Sequence, residues 1–411
     1  MSEAIVIGGG AAGMFSAICL AENGWRVTLF EKNEKLGKKL FITGKGRCNL
    51  TNDCTDDEFF SHVVTNSRFL YSAYHQCPSG EVCRLFESWG LTLKTERGRR
   101  VFPASDHAYD VIDVLKRRLI RCGVRIELNT RVDKLMTETT EEGLTRVTGV
   151  FAGGETFPAD RVVIATGGLS YPSTGSTGDG LRFAADTGHR ITACRPSLVA
   201  INCAEADAAA LSRLTLKNIR LTVRDSKKTL YDDFGELTFM PYGISGPLVL
   251  TASALAGDRL RRGNLTAEID LKPAVDEVRL DRDIIRLLTD NANKDVIHAV
   301  RGLYPAVMVP VLLDRAGIDP RSKARDLTKS ARRRLLLETK HFRLTLTSLR
   351  GYEEAVITRG GVSVSDIEPA TMMSKKVQGL AFAGEVIDVD ALTGGFNLQI
   401  AWATAYAAGT H

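Results

Sequence analysis

Residues 40–52 read LFITGKGRCNLTN, which puts a thiol, a guanidinium, an amide and two glycines within six positions. Gly44 and Gly46 let a backbone lie against a flat ring where a Cβ would clash. Arg47 suits bidentate pairing with a phosphate or an anionic substrate, and Asn49 suits the polar edge of a heterocycle. Cys48 has two readings. One is a proton donor to the carbon opposite one that receives hydride; the other is a small buried packing residue.

Residues 4–31, AIVIGGGAAGMFSAICLAENGWRVTLFE, indicate what the ring is attached to. A short apolar strand runs into Gly8, Gly10 and Gly13, a helix follows to Asn23-Gly24, and a second strand ends in Glu31. This is the dinucleotide fingerprint in its proper context. Gly8 makes the tight turn, Gly10 admits a pyrophosphate, and Gly13 lets helix and strand pack closely. The helix start, with Ala11 and Ala12, offers free amides and the positive dipole end to phosphate. Glu31 accepts hydrogen bonds from ribose hydroxyls and disfavours a 2′-phosphate at this site.

Two distant stretches favour FAD over NAD as the resident nucleotide. Residues 161–180, RVVIATGGLSYPSTGSTGDG, run a β-branched strand into Thr166, Gly167 and Gly168. Residues 379–403, GLAFAGEVIDVDALTGGFNLQIAWA, lead a strand into Gly384, Glu385 and Asp388. Gly394, Gly395, Phe396, Asn397 and Leu398 then open a final helix. An acid after a strand suits ribityl hydroxyls, and a helix start at the pyrimidine end of a flavin stabilises the anionic reduced ring. The flat ring beside residues 44–49 is then the isoalloxazine. Lys32, Lys35, Lys38 and Lys39 form a basic loop between these parts, read as a counter-charge for the pyrophosphate, with a solvated surface as the alternative.

Together GGGAAGM, GKKLFITGKGRCNLTN, ATGGLSYPSTGSTGDG, YGISGP, TRGGVS, TMMSKKVQGLAFAGE and TGGFNLQIAWATA resemble the aminoacetone oxidase-like family of FAD-dependent oxidoreductases, from end to end of the chain. The resemblance implies an α/β fold: a Rossmann-type FAD-binding domain of the two-dinucleotide-binding flavoprotein type, with an inserted β-rich, barrel-like and helical domain. It implies backbone contact from Val132 to adenine. It also implies one of two related activities: NAD(P)H-driven reduction of a 3-oxo bile-acid enone, or reduction of a ribosomal RNA uridine to dihydrouridine. Members of the family usually carry Thr-His before the YGISGP turn, where this chain has Met240-Pro241.

The elements that must position these residues follow from patterning. Residues 1–190 and 350–411 are expected to form a discontinuous FAD domain. Residues 191–272 and 340–350 alternate as short strands, and 273–339 show helical spacing. Residues 124–134 read as a strand that turns polar, and a strand pair is expected near 343–358.

Composition is that of an ordinary globular chain: 411 residues, 44% apolar, 25% charged, net charge +5. Eight scattered cysteines without CxxC or zinc spacing argue for reduced thiols and no metal. The apolar run 4–21 lacks a basic leader and carries glycines, so a cytoplasmic protein without a membrane span is expected. No second strand-linked GxGxxG is present, so NADH or NADPH is expected to visit the flavin transiently, in turn with the substrate.

Two substrate classes stay open. Arg97, Arg99 and Arg100, then Arg259, Arg261 and Arg262, then Arg332, Arg333 and Arg334 suit RNA. Phe239, Met240, Tyr242 and residues 307–313 suit an apolar enone pocket. The alternatives are a flavin amine oxidase and a non-catalytic, FAD-stabilised RNA-binding protein.

Overall fold

The structure, a computed structural model, describes residues 2–411. The chain divides into two units. One runs to Pro196 and resumes from Tyr352 to His411; the other is Ser197–Gly351.

The first unit is built on a five-stranded parallel sheet. Its order is Leu380–Phe382, Arg161–Ile164, Glu3–Ile7, Arg26–Phe30 and Arg125–Glu127. The three inner or adjoining runs AIVI, VVI and LAF are apolar without alternation, as strands covered on both faces must be. The helices Ala11–Glu22 and Phe396–Thr410 are likewise buried on almost every side and pack on each other. Contact is so close that a Cβ on Gly409 would stand 2.5 Å from that of Cys19. Strands Val132–Thr139, Thr145–Ala152 and Glu155–Pro158 form an antiparallel meander beside this sheet.

The second unit is a closed six-stranded barrel. Its strand order is Ile201–Cys203, Gly243–Ser245, Lys228–Met240, Thr215–Asp225, Leu265–Asp270 and Phe342–Leu349. Alternation decides the inside: Leu221 and Val223 are core, while Arg220, Thr222 and Arg224 face outward. The helix Pro247–Leu260 buries Leu248, Val249, Ala252 and Ala256 in the barrel's core. Helices Glu277–Asp290 and Lys329–Lys340 add Leu280, Ile284, Leu335 and Leu336 to it. Asp276 and Thr328 cap these two helices through their side chains, satisfying amides that otherwise lack partners.

Three expectations about local structure are corrected. The segments near 343–358 are not a pair: Phe342–Leu349 closes the barrel, and Ile357–Val362 belongs to the first unit. Residues 124–134 are not one strand, because Asn129 turns left-handed (φ +52°) and sends Arg125–Glu127 and Val132–Thr139 into different sheets. The apolar spacing of KDVIHAVRGL yields only the single turn Val296–Ala299.

No helix among the described residues is long and apolar enough to cross a membrane, and no group of three His, Cys, Asp or Glu side chains among them is placed to hold a metal.

Candidate dinucleotide and flavin site

The glycine turn is fixed by contact distances. Gly8 has φ +107°, and a Cβ there would lie 2.6 Å from the Ala165 carbonyl oxygen. A Cβ on Gly13 would lie 1.7 Å from the Gly8 carbonyl oxygen, so helix and turn touch backbone to backbone. At Gly10, by contrast, a Cβ would meet nothing within 4 Å. Gly10 is also the helix N-cap and supplies no side chain, so the first amides of Ala11–Glu22 are left for a ligand.

That open side is the wall of a cleft of about 540 Å³, counting the solvent at its mouth. Gly8, Gly10, Glu31, Arg131, Val132 and Thr166 line it. Glu31 is buried at the end of the second strand. Its Oε2 accepts from the Gly9 amide at 2.8 Å, and its Oε1 accepts from the Asn33 amide at 2.8 Å and the Asn33 side chain at 2.6 Å. Asp179 lies on the far wall. Burial pushes its pKa up, but hydrogen bonds from Lys32 and Arg131 outweigh that and hold its carboxyl below the usual range.

From the cleft the site continues along the turn at Gly384–Val386. A Cβ on Gly384 would stand 2.7 Å from that of Ala12, so this turn lies against the start of the first helix. Glu385 accepts from Lys39 Nζ at 2.9 Å, Ser170 Oγ at 2.6 Å and the Thr358 amide at 2.8 Å. Burial raises its pKa; the Lys39 charge and these donors more than reverse that, so it stays an anion below the usual glutamate range. Thr358 Oγ1 in turn accepts from the amides of Leu169 and Ser170, which locks the loop after Thr166, Gly167 and Gly168.

The last helix is aimed by a third clamp. Gly395 is its left-handed N-cap (φ +101°), where a Cβ would stand 2.4 Å from the Thr51 carbonyl oxygen. The Asn52 side chain donates to the Gly394 carbonyl at 2.9 Å, Thr51 Oγ1 donates to Gln399, and the Trp402 indole donates to the Leu50 carbonyl. Asn397 bonds both the amide and the carbonyl of Ala391. Residues 44–52, the Glu385 turn and the start of the last helix are thereby brought into one region of the first unit.

Polar atoms along this path test whether a flavin dinucleotide fits. Thr166 Oγ1, Asn49 Oδ1 and Asp388 Oδ1 are buried without a hydrogen-bond partner. Buried polar atoms are rarely left so in a folded chain. One is at the cleft, one in the loop at 44–49 and one after the Glu385 turn. A ligand carrying hydroxyls and ring heteroatoms along an extended path offers partners for such atoms, and FAD is such a ligand.

A family profile for the HI0933-like protein Rossmann domain matches residues 2–411. The chain belongs to the HI0933-like family. This is a family of FAD-binding Rossmann proteins, and its members place the chain among FAD-dependent oxidoreductases. The chain is similar to a 3-dehydro-bile acid delta(4,6)-reductase of Clostridium scindens, 31% identical across 100% of this chain and 98% of that one. It is similar to a ribosomal RNA dihydrouridine synthase of Haemophilus influenzae, 30% identical across 99% of this chain and 97% of that one. Among solved structures, 3-ketosteroid delta1-dehydrogenase of Sterolibacterium denitrificans shares the fold, with a TM-score of 0.55 at 14% identity over 100% of this chain and 99% of that one.

Against this HI0933-like site, several residues do something other than the sequence suggests. Arg47 is expected to meet phosphate or substrate. Its guanidinium instead lies 4.2 Å over the Phe102 ring and bonds Asp106 at 2.8 Å and Glu96. The basic loop is expected to offset pyrophosphate, yet Lys32 pairs with Asp179, Lys38 with Glu34 and Lys39 with Glu385. The largely buried Asp179 and Glu385 need those charges, whereas Glu34 is exposed. Phe396 is buried and stacked on His62 at 4.3 Å, so its side chain is structural.

Cys48 has two readings, and its burial bears on the choice between them. Its side chain has no accessible surface, and burial pushes its pKa up to about 12. A thiol this buried and this hard to ionise fits the packing reading. Ser170, Thr358 and Asn33 escaped sequence reasoning as site residues. Thr358 stands in the quoted TRGGVS stretch and Ser170 in ATGGLSYPSTGSTGDG; Asn33 carries no spacing signal.

Proposed function

We propose that this protein is an FAD-dependent reductase that takes hydride from NADH or NADPH and saturates a carbon–carbon double bond conjugated to a carbonyl, with a uridine of large-subunit ribosomal RNA as substrate. What carries the reading is end-to-end similarity to two relatives whose named reactions share that chemistry. Dihydrouridine differs from uridine by two hydrogens across a double bond beside a ring carbonyl. A delta(4,6)-reductase of a 3-dehydro bile acid acts on double bonds conjugated to the 3-oxo group. The balance is the same in both: a hydride to the β-carbon, a proton to the α-carbon, and oxidised nicotinamide released.

Bound FAD supplies the two-electron relay between nicotinamide and alkene. The chain's own residues bind and orient it. The amides at the start of Ala11–Glu22 take the pyrophosphate, Glu31 the ribose, and Val132 the adenine. Glu385 and Asp388 serve the ribityl chain, with Gly44, Gly46 and Asn49 at the ring. The amides opening Phe396–Thr410, at Gly394, Gly395, Asn397 and Leu398, face the edge that becomes anionic on reduction.

Charge favours RNA over the small molecule. The chain's surplus of base lies in the barrel unit, and much of the apolar set expected there is core: Phe239, Met308, Val309, Leu312 and Leu313 are buried, while Met240 and Tyr242 are part-buried and Val307 is exposed. The second reading, a 3-oxo steroid enone, is favoured by the 31% identical relative.

The test is anaerobic. The bound flavin is bleached with NADH or NADPH, then offered unmodified large-subunit ribosomal RNA, a 3-oxo-Δ4,6 bile acid or an amine. Reoxidation by RNA supports the reading, reoxidation by the steroid alone moves it to the second, and failure of either nicotinamide to bleach the flavin ends both.

A further inference from the structure

The Ser197–Gly351 unit holds 26 of the chain's 54 lysines and arginines but only 19 of its 49 acids, a surplus of seven; the rest of the chain has a deficit of two. More than half of that surplus sits at one end of the barrel. The hairpin between Thr215–Asp225 and Lys228–Met240 turns there through left-handed Ser226 (φ +52°) and presents Lys227 and Lys228. The helix Pro247–Leu260 ends there too, and Arg261 and Arg262 lead into Leu265–Asp270.

Register places the two loops side by side, because Arg224 is opposite Thr266 across the ladder. An ion pair between Arg259 and Asp225 bolts one loop to the other. Lys227, Lys228, Arg261 and Arg262 are all exposed, and none has an acid within ion-pair distance. Several other arginines of the unit are paired: Arg220 with Asp232, Arg315 with Asp207, Arg332 with Asp281 and Arg343 with Glu268. A cluster of unpaired cations repels itself, and an anionic partner relieves that. The residues between them, Ser226, Thr229, Gly263 and Asn264, are polar or lack a side chain, so nothing here inserts into a lipid surface.

We propose that loops 225–228 and 261–264 of the barrel form a contact surface for the RNA phosphate backbone, with Lys227, Lys228, Arg261 and Arg262 as the phosphate ligands. This rests on the reading that RNA is the substrate. The contacts position RNA and carry no base specificity.

The experiment is RNA binding by fluorescence anisotropy across a KCl series, using a labelled ribosomal stem-loop and the flavin-loaded protein. The variant Lys227→Ala/Lys228→Ala/Arg261→Ala/Arg262→Ala keeps its visible flavin spectrum and its bleaching by nicotinamide. It binds RNA at least tenfold more weakly at low salt. The slope of log affinity against log salt falls by about 0.7–0.9 for each contact removed. Arg261→Lys/Arg262→Lys keeps the charge and keeps most of the binding, which separates lost charge from lost structure. If wild type and the alanine variant bind RNA with the same slope, this surface is wrong and the RNA substrate stands. If the wild type does not bind RNA, both fall. Salt-sensitive binding to phosphatidylserine vesicles that the variant loses, with RNA binding unchanged, also overturns the proposal.

Discussion

Lys39 and Glu385 meet at 2.9 Å although 346 positions separate them. The contact ties the basic loop after the second strand to the turn before the last helix, and Ser170 bonds both partners. With the Asn52–Gly394, Thr51–Gln399 and Trp402–Leu50 bonds, it holds the early and late parts of the first unit in one geometry. Lys39→Met removes the cation and leaves the carboxylate facing Ser170 and Thr358 alone. Breaking a fully buried pair costs about 3–5 kcal/mol. Both side chains here keep about a fifth of their surface, 22% and 17%, so a loss of roughly 2 kcal/mol is expected. Urea unfolding monitored by circular dichroism measures it, and the variant should also purify with less flavin.

The same network sets an acid limit. The folded pKa of Glu385 lies below its ordinary value, so its contribution is complete above the unfolded pKa of about 4.5 and is lost as pH falls through the folded value. Asp179 behaves in the same sense. Flavin fluorescence, quenched while bound, should rise on acidification only below the ordinary carboxylate range. In Lys39→Met the rise should begin at higher pH, and an unchanged midpoint would refute the role given to this pair.

Gly13→Ala tests the dinucleotide turn. The added methyl would lie 1.7 Å from the Gly8 carbonyl oxygen, which is backbone and cannot swing away. Overpacking of this kind costs about 1–3 kcal/mol, and here it also spreads the phosphate-binding amides. A colourless protein that stays colourless after incubation with FAD is expected. Gly24→Ala is the control: its Cβ has open space, and the penalty there is only its left-handed φ of +83°.

Cys48→Ala separates packing from proton transfer. Losing a buried sulfur should lower stability by about 1 kcal/mol. Reoxidation of the reduced flavin by substrate should proceed at the wild-type rate. A hundredfold slowing would restore the thiol as the acid, since general acid catalysis is worth about 10²–10⁴-fold.

Steady-state kinetics tests the order of events. Only one strand-linked dinucleotide turn is present in the sequence, so under the proposed function nicotinamide and substrate are expected to use the flavin in turn. Double-reciprocal plots at several substrate concentrations should be parallel; lines that intersect would require both ligands to be bound together.

Much of the fold was legible because its signals are local. The strand–glycine–helix–strand pattern over residues 4–31 depends on near neighbours, and the structure has Glu3–Ile7, Ala11–Glu22 and Arg26–Phe30 there. The alternation of Thr215–Asp225 and the period of Glu277–Asp290 were readable for the same reason. Where a residue's role depends on what meets it from far along the chain, reading failed. Arg47 looks free until Glu96 and Asp106 arrive, and Lys39 looks like a phosphate ligand until Glu385 does. Cys48 keeps two readings until its burial is known.

The order of the amino acids alone determined that a nucleotide-binding turn stands at the start, that glycines and acids recur near 165 and 385–395, and that a β-rich and a helical stretch lie between. Those follow from backbone freedom and periodicity, which act over a few residues. Only the folded chain decided which charges stay available. A carboxylate leaving water takes whichever cation the packing brings within reach, and that choice is made by contacts hundreds of positions apart. So Lys32, Lys38 and Lys39 were spent inside the first unit, and Lys227, Lys228, Arg261 and Arg262 were left without acid partners at the end of the barrel.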